Sequence, residues 1–130
     1  MPDFSDRSPS VAEFRALRVA AGLSDFSDQA AKTGLAATLY GVWLRDGDRL
    51  VGMGRIVGDG GCFALVTDVA VHPEHQGRGL GRQIVARLME WAEAELPKSC
   101  ILSLIADPPA DKLYQQFGFD YRVGMGRTLG

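Results

Sequence analysis

Seven consecutive residues, Gln76-Gly77-Arg78-Gly79-Leu80-Gly81-Arg82, set three alternate glycines and two arginines directly in front of an apolar helical pattern. The first turn of a helix carries N–H groups without internal partners and the positive end of the macrodipole. Glycine there removes the Cβ atoms that would hold an anion away from those N–H groups. Arg78 and Arg82 add two mobile cations, so a diphosphate is the guest that fits the chemistry. Phosphate loops differ in spacing. A Walker A loop requires Lys-Ser/Thr, and neither pair is here. A dinucleotide fingerprint requires Gly-x-Gly-x-x-Gly early in an extended parallel sheet, whereas Gly77-x-Gly79-x-Gly81 runs on to Ile84. A Gln/Arg-x-x-Gly-x-Gly/Ala pattern matches Gln76 through Gly81.

A second conspicuous residue is Asp68, a carboxylate inside the apolar run LVTDVAV. Burying a charge is costly unless it is paired or functional, so Asp68 is either a reactive carboxylate or one hydrogen-bonded to backbone at a bulge. His72 and His75, on either side of Pro73, read as solvated turn residues. Cys62 and Cys100 lie in apolar stretches and read as reduced core thiols. No cysteine or histidine pair has ligand spacing, so no metal is expected. Tyr40, Trp43 and Phe63 read as core or as a substrate wall.

These residues need elements to position them. Ser10-Val11-Ala12-Glu13 matches a capping box, followed by Val11, Phe14, Leu17 and Arg18 at helical spacing and Gly22 as a stop. Ser27 and Asp28 open a second short helix that runs to about Leu35. TLYGVWLR and RLVGMGRIV are β-rich runs joined by Asp46-Gly47-Asp48, a hairpin signal. Gly52 and Gly54 alternate in the second run, which predicts a close neighbour on one face. CFALVTDVAVH gives a third strand, buried on both faces. After Pro73 the period turns helical: Leu80, Ile84, Val85, Leu88, Met89, Ala92 and Leu96 form one stripe that Pro97 ends. CILSLIA, residues 100–106, is a strand suited to a central position. A short helix covers residues 110–117, Gly118 stops it, and a last strand starts at Phe119. The strand–helix–strand unit from residue 62 to 106 demands a parallel crossover.

The chain of 130 residues fits one domain spanning 1–130, and its 46% hydrophobic content can build an ordinary core. Fourteen basic against sixteen acidic side chains leave a net charge of −2, which argues against a nucleic-acid partner. The N-terminal MPDFSDRSPS lacks a secretory h-region, and no apolar run reaches membrane-spanning length. A soluble, cytoplasmic protein without a membrane partner is expected.

From about Ser10 to Tyr121 the chain resembles the GNAT N-acetyltransferase superfamily. DVAVHPEHQGRGLG looks like its strand–loop–helix core, and ADKLYQQFGF like its C-terminal Ala-x-x-x-Tyr-x-x-x-Gly-Phe segment. The resemblance implies an α+β fold: a mixed, mostly antiparallel sheet with helices on both faces and a splayed central parallel strand pair. It implies acetyl-CoA as co-substrate. Val69, Ala70 and Val71 would offer backbone groups to the pantetheine arm, much like an added strand. Gln76, Gly77, Arg78, Gly79, Leu80, Gly81 and Arg82 would take the diphosphate, and Asp107 stands where many members have an Asn that bonds the arm. Asp accepts there but cannot donate.

The implied reaction is direct attack of a primary amine on the thioester in a ternary complex. Tyr114 stands at the general-acid position, where a phenol remains protonated at neutral pH. Read without the resemblance, it is an aromatic packed at helical spacing with Phe117. Asp68 is the best candidate for the base, with a water chain as the other. The acceptor is a small-molecule amine, a peptide N-terminus or a lysine. Two rivals share the loop: a non-catalytic acyl-CoA-binding module, and a transferase of another acyl group. Only nine residues precede Ser10, so the family's opening strand is short or absent. The glycine-rich C-terminus leaves the final strand open to completion by a second subunit, compatible with a homodimer.

Overall fold

The Ser10 hydroxyl accepts from the Glu13 N–H at 3.1 Å, and the Glu13 carboxylate accepts from the Ser10 N–H at 3.0 Å. This closed capping box starts α1 (Val11–Ala20). Ser27 caps α2 (Asp28–Ala36) through the Ala30 N–H. The computed structural model describes residues 1–130. Its remaining elements are β1 (Asp3–Ser5), β2 (Tyr40–Asp46), β3 (Arg49–Gly58), β4 (Phe63–Val71), a 3₁₀ turn (Pro73–His75), α3 (Leu80–Glu95), β5 (Ile101–Ser103) and α4 (Asp111–Gln115). The strands form one sheet in the order β1-β2-β3-β4-β5. The first three pairings are antiparallel and β4–β5 is parallel. The family's opening strand is therefore present but three residues long.

Side chains alternate across β2, so Trp43 faces one way and Val42 the other. Trp43, Met53 and Ala70 meet Phe14, Leu17 and Ala31 from α1 and α2. On the opposite face Val42, Ile56 and Val66 meet Ile84, Leu88 and Ala92 from α3. Each fully buried Leu, Ile or Phe stabilises by about 1.5–3 kcal/mol, so these two layers hold the sheet between the helices.

The glycines of β3 let α3 approach. A Cβ on Gly54 would lie 2.7 Å from Ile84 Cγ2 and 2.9 Å from Leu88 Cδ1. One on Gly52 would lie 3.2 Å from Ile84 Cδ1. The close neighbour expected at these positions is the helix that follows the glycine loop, joined at Gly52 by Leu44 of β2, whose Cβ and Cδ2 would lie 3.1 Å away.

Strand β4 changes parity at Asp68. Arg55 pairs with Thr67 but Met53 pairs with Ala70, so two residues, Asp68 and Val69, oppose Gly54 alone. Asp68 has φ 58°. That left-handed conformation is uncommon for a side-chain-bearing residue, and Asp tolerates it better than most. Before the bulge Ala64 and Val66 face α3; after it Val69 and Val71 do, and Ala70 faces α1.

Four sequence expectations need correction. Strand β5 is the edge of the sheet rather than central, and Ile101 is 50% exposed, because nothing pairs on its outer side. No strand follows α4; residues 119–130 form no regular element. Cys62 is exposed and Cys100 half-buried, since both lie at strand starts instead of strand centres. Phe63 is 62% exposed for the same reason. No helix is long and apolar enough to cross a membrane.

Candidate active site

Strand β5 pairs with β4 only from Phe63 to Leu65. Beyond Leu65 the outer edge of β4 has no strand beside it, so Val66 to Val71 present backbone polar groups along an open groove. This is the splay that the resemblance implies. It leads directly to the glycine loop. A cavity of about 250 Å³ is lined by Val69, Ala70 and Val71 on the strand side and by Gln76, Gly77, Gly79, Leu80 and Gly81 on the loop side.

Helix α3 begins at Leu80 with Gly79 as N-cap and no side-chain cap. Its first N–H groups therefore have no acceptor within the helix. Gly77 and Gly79 have φ of 79° and 76°, a conformation that explains glycine at both positions. Gly81 differs. Its backbone is not left-handed, and a Cβ there would meet no atom within 4 Å. Neither conformation nor internal packing requires glycine at 81, which lines the cavity. The loop and helix terminus thus fit a diphosphate group in the way a bound anion requires.

The side chains around the loop are arranged less simply. Gln76 Nε2 donates to Val71 O at 2.9 Å, so this side chain braces the loop against the end of β4. Arg78 is exposed and turned to solvent. Arg82 leans toward α4: its Nη1 donates to Gln116 Oε1, and its guanidinium lies 5.2 Å from the centre of the Phe117 ring. His75, expected in solvent, is buried at the cavity wall, with Nε2 3.8 Å from Asp46 Oδ2 and Nδ1 without a partner. His72 is half-buried and accepts the Glu74 N–H at Nδ1, capping the 3₁₀ turn.

Tyr114 lies on α4, edge-on to Phe119 with ring centres 6.1 Å apart. Burial, with a smaller push from the Asp107 carboxylate, raises its hydroxyl above the ordinary value of 10.0. The phenol therefore remains a proton donor throughout the neutral range. Asp107 itself is exposed, in the turn before α4. Neither residue lines the cavity at the loop, and both lie on the chain that leaves β5.

The surroundings of Asp68 oppose the base role. Its Oδ1 accepts from Arg18 Nη1 and its Oδ2 from Arg55 Nε at 2.8 Å, and all three side chains are buried. A base must give up such partners as it takes a proton, and breaking a buried pair costs about 3–5 kcal/mol. Arg18 also donates to Ser24 O and stacks over Phe26; Arg55 donates to Gly34 O and Thr38 Oγ1. The carboxylate thus ties α1, the ends of α2 and β3 to the bulge of β4. The signal for this was present in the sequence: Arg18 sits on the apolar stripe of α1, and Arg55 and Asp68 interrupt apolar strands. Three charges at buried positions must find one another. Gln116 gave no such signal.

A family model described as "Acetyltransferase (GNAT) domain" matches residues 38–121, the stretch that holds the groove, the loop, α3 and α4. A Staphylococcus aureus structure, SA2161, of unknown function and described as a probable acetyltransferase, is 39% identical with a TM-score of 0.93, covering 99% of this chain and 100% of that one. An uncharacterized N-acetyltransferase, ycf52, of Porphyra purpurea is 36% identical over 72 residues, 55% of this chain and 40% of that protein. The chloroplastic serotonin N-acetyltransferase 2 of Oryza sativa subsp. japonica is 37% identical over 83 residues, 60% of this chain and 40% of that protein. The chain spans about two fifths of the length of these two curated relatives. The family match over residues 38–121, the stretch that holds the uncapped helix terminus and the open strand edge, makes this chain a member of the GNAT family of acetyltransferases.

Proposed function

We propose that the protein transfers an acetyl group from acetyl-CoA to a primary amine by direct attack on the thioester. The single observation that carries this reading is the uncapped start of α3, which opens with Gly77, Gly79 and Gly81 onto a cavity beside the unpaired edge of β4. The N–H groups at the start of α3 hold the diphosphate, with Arg78 and Arg82 as its cations. The edge of β4 at Val69, Ala70 and Val71, where Gln76 occupies the Val71 carbonyl, would hydrogen-bond through its remaining groups to the pantetheine arm, and Asp107 would accept from the arm. Bound acetyl-CoA supplies the activated acetyl group. A backbone N–H near Val69, next to the bulge at Asp68, polarises the acyl carbonyl. Tyr114 gives its proton to the departing sulfur, a task suited to a phenol that burial keeps protonated. Asp68 holds the bulge in shape, and water takes the proton of the incoming amine.

The acceptor class is an amine nitrogen, on a small molecule or at a peptide N-terminus or lysine. The name of the rice relative favours testing arylalkylamines first. The test measures free CoA release over a panel of arylalkylamines, polyamines, amino acids and lysine peptides, with Tyr114→Phe beside the wild type. The variant is expected to bind CoA normally by calorimetry and to lose about 10²–10⁴-fold in turnover, the usual worth of a general acid. Normal turnover by Tyr114→Phe removes the acid assignment. Absence of any heat with millimolar CoA removes the reading altogether.

A further inference from the structure

Helix α4 carries Tyr114 but has little to hold it. It is five residues long, none of them is fully buried in the way of a core residue, and its N-cap, Ala110, makes no side-chain hydrogen bond. A helix this short does not persist on its own. Its exit is anchored by Phe119, which packs against the core under α3, and Tyr121 donates to Asp111 at its start. The polar link from α4 to the body of the protein comes from the third residue of α3. Arg82 Nη1 donates to Gln116 Oε1, and the same guanidinium lies over Phe117 at 5.2 Å. Arg82 immediately follows Gly81, which lines the anion cavity. A guanidinium has five N–H donors, and this one spends Nη1 on Gln116, leaving Nε and Nη2 for a further acceptor.

We propose that Gln116 is a positioning residue for Tyr114, acting through Arg82 as a clamp between the diphosphate site and α4. This rests on the reading of Tyr114 as the proton donor. One cation serves both sites: its fork holds a phosphoryl oxygen on one side and the amide of Gln116 on the other. Diphosphate binding fixes Arg82, Arg82 fixes the last turn of α4, and the phenol two residues before Gln116 is held at the sulfur. The Arg82–Gln116 contact already exists without the co-substrate, and a seated diphosphate would hold it in place.

The test is a double-mutant cycle at saturating acetyl-CoA, using the best amine from the panel. Gln116→Leu keeps the size of the side chain and removes the acceptor; it is expected to lower kcat about tenfold or more, as misplacement of a catalytic group does. Its CoA affinity by calorimetry should remain within about twofold, because the N–H groups of the loop are untouched. Gln116→Glu restores an acceptor for Arg82 and should recover most of kcat. Tyr114→Phe combined with Gln116→Leu should be no slower than Tyr114→Phe alone, since the clamp acts only through the phenol. A second readout needs no amine: with CoA bound, amide hydrogen exchange over residues 111–118 should be faster in Gln116→Leu than in the wild type and normal in Gln116→Glu. Full turnover or unchanged exchange in Gln116→Leu overturns the clamp, as does a double variant slower than Tyr114→Phe by the whole single-variant factor. Normal turnover in Tyr114→Phe removes the reading beneath it, whereas a slow Tyr114→Phe beside a normal Gln116→Leu removes the clamp alone.

Discussion

The glycines of β3 and those of the loop before α3 are the same residue put to opposite uses. Gly52 and Gly54 are walled in, the first by Leu44 and Ile84 and the second by Ile84 and Leu88. Gly77, Gly79 and Gly81 have nothing within 4 Å of that position. The first pair makes room inside the fold; in the second group Gly77 and Gly79 supply left-handed backbone, and Gly81 leaves the cavity wall without a side chain. The two are mechanically linked, because Ile84 lies one turn from the loop and its contact with Gly54 fixes where the mouth of α3 points. A tightly packed helix body thus supports an open helix end. Preorganised N–H groups of this kind spend no binding energy on ordering themselves.

Four substitutions or conditions test this contrast, ranked by their expected effect on folding stability. Asp68→Ala removes the carboxylate between Arg18 and Arg55 and leaves two buried cations unpaired. It should lower stability by about 3–5 kcal/mol in urea unfolding. A stable Asp68→Ala that is merely slow would instead restore the carboxylate to the chemistry. Gly54→Val forces methyl groups into Ile84 and Leu88 and should cost about 1–3 kcal/mol by overpacking, with a lowered thermal midpoint. An unchanged midpoint would mean that α3 is not seated on β3 as described.

Acid should act on the opposite side of the sheet. The Arg45 side chain, hydrogen-bonded to Glu13, holds that carboxyl down from its ordinary 4.5 to about 2, with the Ser10 N–H adding to the effect. A depressed folded-state value stabilises the protein above 4.5, and that contribution disappears as pH falls from 4.5 toward 2. The effect is modest because Glu13 is partly solvated. Glu13→Gln should flatten this part of the stability profile while leaving CoA affinity at pH 7 as it was. An acid limb of the same steepness in Glu13→Gln would assign it to another group.

The smallest change in stability is expected for Gly81→Val, at a helical position with open space around it. Its thermal midpoint should stay close to wild type while CoA affinity falls by about tenfold or more, the worth of one lost charge-assisted hydrogen bond. Gly79→Val is a poorer probe, because φ 76° strains any β-branched residue and would weaken fold and binding together. If Gly81→Val binds CoA normally, the loop glycines have lost their distinguishing use.

Much of the fold was legible because local rules set it. The capping box at Ser10, the hairpin at Asp46-Gly47-Asp48 with Gly47 at φ 61°, and the stripe from Leu80 onward each depend on neighbours a few residues away. The close approach at Gly52 and Gly54 was legible as well, though its partner was not. The second strand of the parallel pair was misplaced. An apolar run such as CILSLIA suits a central strand, but whether anything pairs on its far side depends on the chain after α4, and the alternating Phe119, Tyr121 and Val123 there find no strand to join.

Sequence alone determined the elements from α1 to α4 and their order, though not β1 or the missing final strand, and it suggested the anion-binding chemistry of the loop, since φ preferences, side-chain period and the absence of Cβ atoms are properties of the local chain. Tertiary structure decided how the charges pair. Asp68 meets Arg18 across 50 positions and Arg82 meets Gln116 across 34. Such pairings follow from which surfaces are brought together and which charges would otherwise be stranded without water, and no short stretch of sequence contains that information.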